Sequence, residues 1–182
     1  ETLLQSMNIP YSIISSESKN VKEVLSEAVS VMRNLSSPYV ILVRKETFES
    51  YSLESEKKTN YDLNREGAVK KIIDLIEEQD VVVSTTGKTS REVFEYREER
   101  GDGHEKDFLT VGGMGHANQI ALGIALSKPN RTIYCIDGDG AVLMHTGSLG
   151  IVGDLALPNM KHIIINNGAH DSVGGQPTIG FD

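Results

Sequence analysis

Asp139 stands between Gly138 and Gly140 at the end of the apolar stretch RTIYCID, and the 25 residues 141–165 separate this GDG from the pair Asn166-Asn167. A carboxylate and an amide oxygen are hard donors. Together with a backbone carbonyl, diphosphate oxygens and water they complete the octahedral shell that Mg2+ prefers. Gly138 and Gly140 let a diphosphate approach the chain, and Ala141 opens a helical pattern whose first N–H groups and dipole favour an anion. A GDG alone is more often a plain turn. The asparagine pair at this distance makes the segment read as a diphosphate–metal cradle, with Asp139 and Asn167 on the ion.

The elements around the cradle must bring those two residues together. Residues 131–137 and 161–166 read as strands, with a helix over 141–156 and a loop at Leu157-Pro158-Asn159 between them. In a right-handed βαβ unit both strands end on the same sheet edge, where open α/β sheets bind ligands. Upstream, VVVS at 81–84 has the β-branched character of a buried strand, and Asn64 reads as the cap of a helix reaching about Glu78 with Val69, Ile72, Ile73 and Ile76 inward. A further helix is expected from about Thr89, a charged loop over 97–107, and a small-residue helix from about 115. Near the N-terminus, Val21, Val24, Ala28, Val31 and Leu35 recur at helical spacing before Pro38 and the strand-like YVILV. The polar stretch 52–63 reads as a linker. The predicted fold class is α/β: a parallel sheet with helices on both faces.

GDG followed by NN at this distance resembles the magnesium-binding motif of thiamine diphosphate enzymes. The segments LVRKETF, STTGKTSREVFEYRE, FLTVGGMGHANQIALGIAL, IDGDGAVLMHTGSLGIVG and INNGAHDSVGGQPT resemble those of the phosphonopyruvate decarboxylase family, with sulfopyruvate decarboxylases as close relatives. The resemblance implies a thiamine diphosphate-binding fold. Residues 1–51 would be the end of a pyrimidine-binding-type domain, and 64–182 a diphosphate- and Mg2+-binding domain lacking its C-terminal elements. It also implies a fragment of an enzyme converting 3-phosphonopyruvate to phosphonoacetaldehyde and CO2 through the cofactor's carbanion, in phosphonate biosynthesis. Sulfopyruvate or another 2-oxo acid, or a non-catalytic cofactor-binding module, are the alternatives. Carried over residue by residue, Asp139 and Asn167 are side-chain ligands of Mg2+, and the Ala169 carbonyl is a third. Gly112, Gly113 and Met114 hold the aminopyrimidine, with the Met114 thioether wedged beneath the cofactor. The loop carrying Thr86, Gly87, Lys88, Thr89 and Ser90 adjoins diphosphate and substrate, its hydroxyls and Lys88 suited to anionic oxygens; the same hydroxyls also suit a helix cap.

His116 and His170 adjoin the two ligand loops and are the candidates for proton transfer or for binding an anionic substrate. His145 falls in the stripe Val142, His145, Leu149, Val152, Ala156 and reads as structural; His104 and His162 read as surface residues. Asp171 reads as a brace beside the metal. The activating glutamate implied by the family is not found here, since Glu66 reads as a first-turn helix residue. The resemblance therefore implies a homo-oligomer in which a neighbouring subunit contributes the pyrimidine-binding domain.

Other motifs fail. GKT at 87–89 has Val82 where a phosphate-binding P-loop needs glycine. Asn118 replaces the third glycine of a dinucleotide fingerprint, and Ser148 stands where a calcium loop needs glutamate. With 18 basic against 26 acidic residues, net charge −8 and no basic stripe, nucleic acid is not an expected partner. No apolar run approaches a membrane span, no secretory pattern is visible, and there is a single cysteine, Cys135; the expectation is a cytoplasmic protein.

Overall fold

The computed structural model describes residues 1–51 and 61–181, so most of the expected linker lies outside the described residues. The chain divides into two compact units, Glu1–Ser52 and Leu53–Asp182. In the first, a short helix α1 (Thr2–Ser6) precedes strand β1 (Tyr11–Ile14), helix α2 (Val21–Leu35) and strand β2 (Val40–Val43), and the two strands pair in parallel. Ala28 is the buried centre of α2 and Ile14 that of the strands, whereas Leu35 is exposed at the helix end. The sequence pattern finds α2 and β2 but not α1, which has five residues, or β1, whose apolar run is interrupted by Ser12 where β2 is an unbroken VILV.

The second unit runs α3 (Arg65–Leu75), β3 (Val81–Ser84), α4 (Lys88–Arg100), β4 (Asp107–Leu109), α5 (Ala117–Ser127), β5 (Ile133–Gly138), α6 (Asp139–Met144), α7 (Ser148–Leu155) and β6 (Met160–Ile165). The two-residue strands β7 (Ala169–His170) and β8 (Gln176–Pro177) come after β6. Strands order β4-β3-β5-β6, all parallel. Alternation along the strands sorts the core: Val83, Ile133 and Cys135 pack with Ala117, Ala121 and Ala125 of α5 on one face. Val82 and Ile136 pack with Val69, Ile73 and Val93 of α3 and α4 on the other. Both faces are therefore covered, as the buried-type strands predict.

Several expectations are corrected. The charged segment from 97 is not a loop throughout, because α4 continues to Arg100 and stops at Gly101, in the left-handed region at φ 71°. Arg97 and Arg100 lie in its last turn, where cations suit the helix dipole, and the Arg97 guanidinium reaches Asp102 and Asp107, each at 3.2 Å. Residues 107–109, the end of the supposed loop and its continuation, form the edge strand β4. The helix expected over 141–156 is two helices broken at His145–Gly147. Thr146 Oγ1 donates to the carbonyls of Val142 (3.1 Å) and Leu143 (3.2 Å), a local bond that competes with the helical ladder. His145 is consequently exposed rather than part of an inward stripe, and the helix that begins at the cradle has six residues instead of about four turns. His162 is also not a surface residue: its side chain is 12% exposed and meets the fully buried Asp137.

Candidate diphosphate site

Strands β3, β5 and β6 all end at one edge, and the segments after them meet in a cleft of about 70 Å3. From the β3 end come Thr85, Thr86, Lys88 and Thr89; from the β5 end Gly138, Asp139, Gly140 and Ala141; after β6 come Asn167, Ala169 and His170. Met114 enters from the β4–α5 connection. Register brings Asp139 and Asn167 to the same edge, since Gly138 lies directly opposite Ile165 on adjacent parallel strands. Asp139 follows Gly138 by one residue and Asn167 follows Ile165 by two, so both leave the sheet at this edge and line the same cleft, from spacing that the sequence already displays.

Within the cleft Asp139 is 7% exposed, and its Oδ2 accepts a hydrogen bond from the Thr178 hydroxyl. Asn167 Oδ1 accepts from the Ala169 N–H at 3.2 Å, closing a short turn. A Cβ placed on Gly140 would lie 2.8 Å from both Cε1 and Nδ1 of His170 and 3.5 Å from Met114 Cε. The imidazole and thioether therefore crowd the first turn of α6, whereas a Cβ on Gly138 would meet nothing within 4 Å. The short α6 offers a weaker macrodipole than a four-turn helix would, leaving local N–H groups as the main anion donors.

Several expected residues lie elsewhere. Gly112 and Gly113 are exposed in the β4–α5 connection. Gly87 faces Ser172 and a neighbouring cavity. Ser90 is buried, its Oγ 2.7 Å from Ser84 Oγ and donating to the Thr85 carbonyl at 2.7 Å, so this hydroxyl braces the turn instead of facing the cleft. His116 is exposed, its ring centroid 4.1 Å from that of His145. Glu66 is exposed and pairs with Lys70 at 3.2 Å, as a first-turn helix residue does.

Two cleft residues escape the sequence pattern. Thr85 is 4% exposed, borders the cleft, and has a buried hydroxyl with no hydrogen-bond partner among the described residues. Buried hydroxyls are ordinarily satisfied, so this one is poised to bond a guest. Arg65 lies 106 residues from Asp171 yet donates to it through Nη1, while Nε and Nη2 hold Glu92 at 3.0–3.1 and 2.8 Å. The Glu92 hydrogen bond is the largest influence on this guanidinium. With Asp171 it outweighs desolvation and raises the Arg65 pKa above its ordinary value. Asp171 is thereby tied to Arg65 of α3. Asn64 signals only a helix start at this point, and its side chain does accept from Gly67 N–H at 2.7 Å.

A parallel α/β sheet whose C-terminal edge gathers a GDG turn, an asparagine turn and strand-end hydroxyls defines a diphosphate-binding domain. The chain belongs to the thiamine pyrophosphate enzymes: residues 85–182, just over half of it, match their C-terminal TPP binding domain. It is 43% identical over 115 residues to a phosphonopyruvate decarboxylase of Streptomyces viridochromogenes, covering 63% of this chain and 28% of that protein. It is 48% identical over 98 residues to that of Streptomyces hygroscopicus, covering 54% and 23%. A sulfopyruvate decarboxylase subunit beta of Methanocaldococcus jannaschii is 39% identical over 110 residues, 60% of this chain and 55% of that one. The chain therefore spans about a quarter of the two phosphonopyruvate decarboxylases and just over half of the beta subunit. A crystal structure described as that of a putative thiamin diphosphate-dependent enzyme from Mycobacterium smegmatis shares the fold, with TM-score 0.52 and 21% identity over 64% of this chain and 23% of that chain. Among the described residues no helix is long and apolar enough to cross a membrane.

Proposed function

We propose that this chain supplies the diphosphate- and magnesium-binding half of a thiamine diphosphate-dependent 2-oxo acid decarboxylase, with 3-phosphonopyruvate as substrate and phosphonoacetaldehyde and CO2 as products. The observation that carries the reading is the convergence of Asp139 and Asn167, from adjacent parallel strands, on one cleft that also holds the unpartnered Thr85 hydroxyl. The donor set fits the group: carboxylate, amide and the Ala169 carbonyl are all oxygen, as Mg2+ requires.

Thiamine diphosphate, when bound, supplies the nucleophilic carbon and the electron sink that loss of CO2 from a 2-oxo acid needs. The chain's own residues bind, orient and protonate. Asp139, Asn167 and Ala169 hold the cation, while Thr85, Thr86 and Thr89 at the β3 end donate to anionic oxygens, with Lys88 adding charge. Met114, packed beside Gly140, would lie against the cofactor, where an unbranched thioether adapts to the surface it meets. We take His170, which lines the same cleft, as the proton donor; exposed His116 stands outside it. The pyrimidine-binding surface and its activating carboxylate come from a second subunit, with 1–51 as the end of such a domain.

Identity to the sulfopyruvate decarboxylase beta subunit favours a second reading, in which a sulfonate replaces the phosphonate. The test is decarboxylation by the chain in its natural assembly, with Mg2+ and thiamine diphosphate, comparing kcat/KM for 3-phosphonopyruvate and 3-sulfopyruvate. Phosphonoacetaldehyde formation with preference for the phosphonate is expected. The reverse preference establishes the second reading, and no CO2 from either substrate leaves a non-catalytic cofactor-binding module.

A further inference from the structure

We propose that Cys135, Asp137 and His162 form a second cation site, suited to zinc, that staples β5 to β6 on the α5 face of the sheet. Cys135 and His162 are direct partners in the parallel register, and Asp137 stands two residues further along the same face of β5. Their ligand atoms all lie within 4.8 Å of one another. The Asp137 Oδ2–His162 Nε2 separation is 3.3 Å. That matches the edge of a tetrahedron with bonds of about 2.0–2.1 Å, and closing on an ion draws the sulfur inward by up to about 1.2 Å.

The site is also braced as a metal site requires. Asp137 Oδ1 accepts from the Gly138 N–H at 3.1 Å, which fixes the carboxylate and leaves Oδ2 turned to the histidine. Cys135 and Asp137 are fully buried, and the His162 side chain is 12% exposed, so only the histidine edge opens toward a water as fourth ligand. Sulfur, nitrogen and oxygen donors together select zinc-like ions, whereas the all-oxygen set at Asp139 and Asn167 selects magnesium. Two chemically distinct ions are thus assigned to opposite uses of one strand, β5: a soft site within the sheet and a hard one at its end.

Cobalt gives a decisive readout because the chain has one cysteine, so any thiolate-to-cobalt charge-transfer band must arise at Cys135. Titrating the metal-free full chain with Co2+ is expected to give that near-ultraviolet band, with visible bands of tetrahedral intensity, at one equivalent. One equivalent of Zn2+ should then displace them. Cys135→Ser should abolish the band, His162→Gln should weaken Co2+ binding at least tenfold, and Asp139→Asn should leave the band in place. Absence of the band in the wild type, or its survival in Cys135→Ser, overturns the proposal and leaves Asp137–His162 as a hydrogen bond only. Should a variant fail to fold, the wild-type titration decides alone. Neither result depends on decarboxylation.

Discussion

A methyl group at position 140 would have to displace the His170 imidazole, since both ring atoms nearest it would stand 2.8 Å away. His170 borders the cleft and can swing, so Gly140→Ala is expected to weaken thiamine diphosphate binding about tenfold or more while stability falls by only about 1 kcal/mol. Parallel cofactor titration and urea denaturation would show it. Gly115 is different: its φ is +86°, and a Cβ there would meet the Ala141 carbonyl at 2.8 Å, which cannot swing. Gly115→Ala should therefore cost about 2–3 kcal/mol of stability in the same urea experiment. The buried Cys135 gives a pH prediction, as burial first, and the Asp137 carboxylate second, push its thiol pKa up. The stabilisation this carries is intact below the unfolded thiol's pKa of about 8.5 and is lost as pH rises above it, at up to about 1.4 kcal/mol per pH unit. With chelator present, wild type should lose stability more steeply than Cys135→Val between about pH 9 and 10.5; parallel curves would contradict it. At this scale the meeting of Asp139 and Asn167 in one cleft was legible, because their types and spacing state a chemistry. Thr85 was not, because nothing in a Thr-Thr pair says which hydroxyl the turn will leave without a partner.

At the scale of elements, the sequence displayed whatever had length enough to show a period. The start of α3 was legible from Asn64, and that cap, accepting from Gly67 N–H at 2.7 Å, should make Asn64→Ala cost about 1 kcal/mol in urea unfolding. The break between α6 and α7 was not legible, because the apolar stripe continues through it while Thr146 turns the chain by a local hydrogen bond. Gly147 within this break has φ −57° and ψ −25°, and a Cβ there would meet nothing within 4 Å. Gly147→Ala should accordingly stabilise the chain by about 0.4–1 kcal/mol, read as a higher urea midpoint with unchanged slope. Between elements, the Arg65–Glu92–Asp171 cluster ties α3 and α4 to the segment after β6, with Arg65 17% and Glu92 14% exposed. No local pattern announces a bond between residues 65 and 171. Arg65→Met strands two carboxylates, but the cluster opens on a cavity and is partly hydrated, so the cost is about 1–3 kcal/mol, below the fully buried limit.

At the scale of the molecule, the parallel sheet covered on both faces arises from the alternation of helices with β-branched strands, and it is the feature the sequence shows best. Within that four-stranded sheet, the edge strand β4, sheltered behind a run of charges, is the one it hides. The chain spans 28% and 23% of the two phosphonopyruvate decarboxylases it matches. The 182-residue chain by itself is therefore expected to release no measurable CO2 from 3-phosphonopyruvate, whatever the Mg2+ and cofactor concentrations. Sustained turnover by the isolated chain would show that no second surface is needed.

Thr178 and Ala169 already occupy one lone pair each on Asp139 and Asn167. The carboxylate and the amide keep further lone pairs for an ion, but one that takes over Oδ2 must displace the Thr178 hydroxyl, and the expectation is that uptake is then gated. Its observed rate should level off as cofactor concentration climbs, at a plateau equal to the release frequency of that hydroxyl. Replacing Thr178 with valine should lift the plateau in stopped-flow traces.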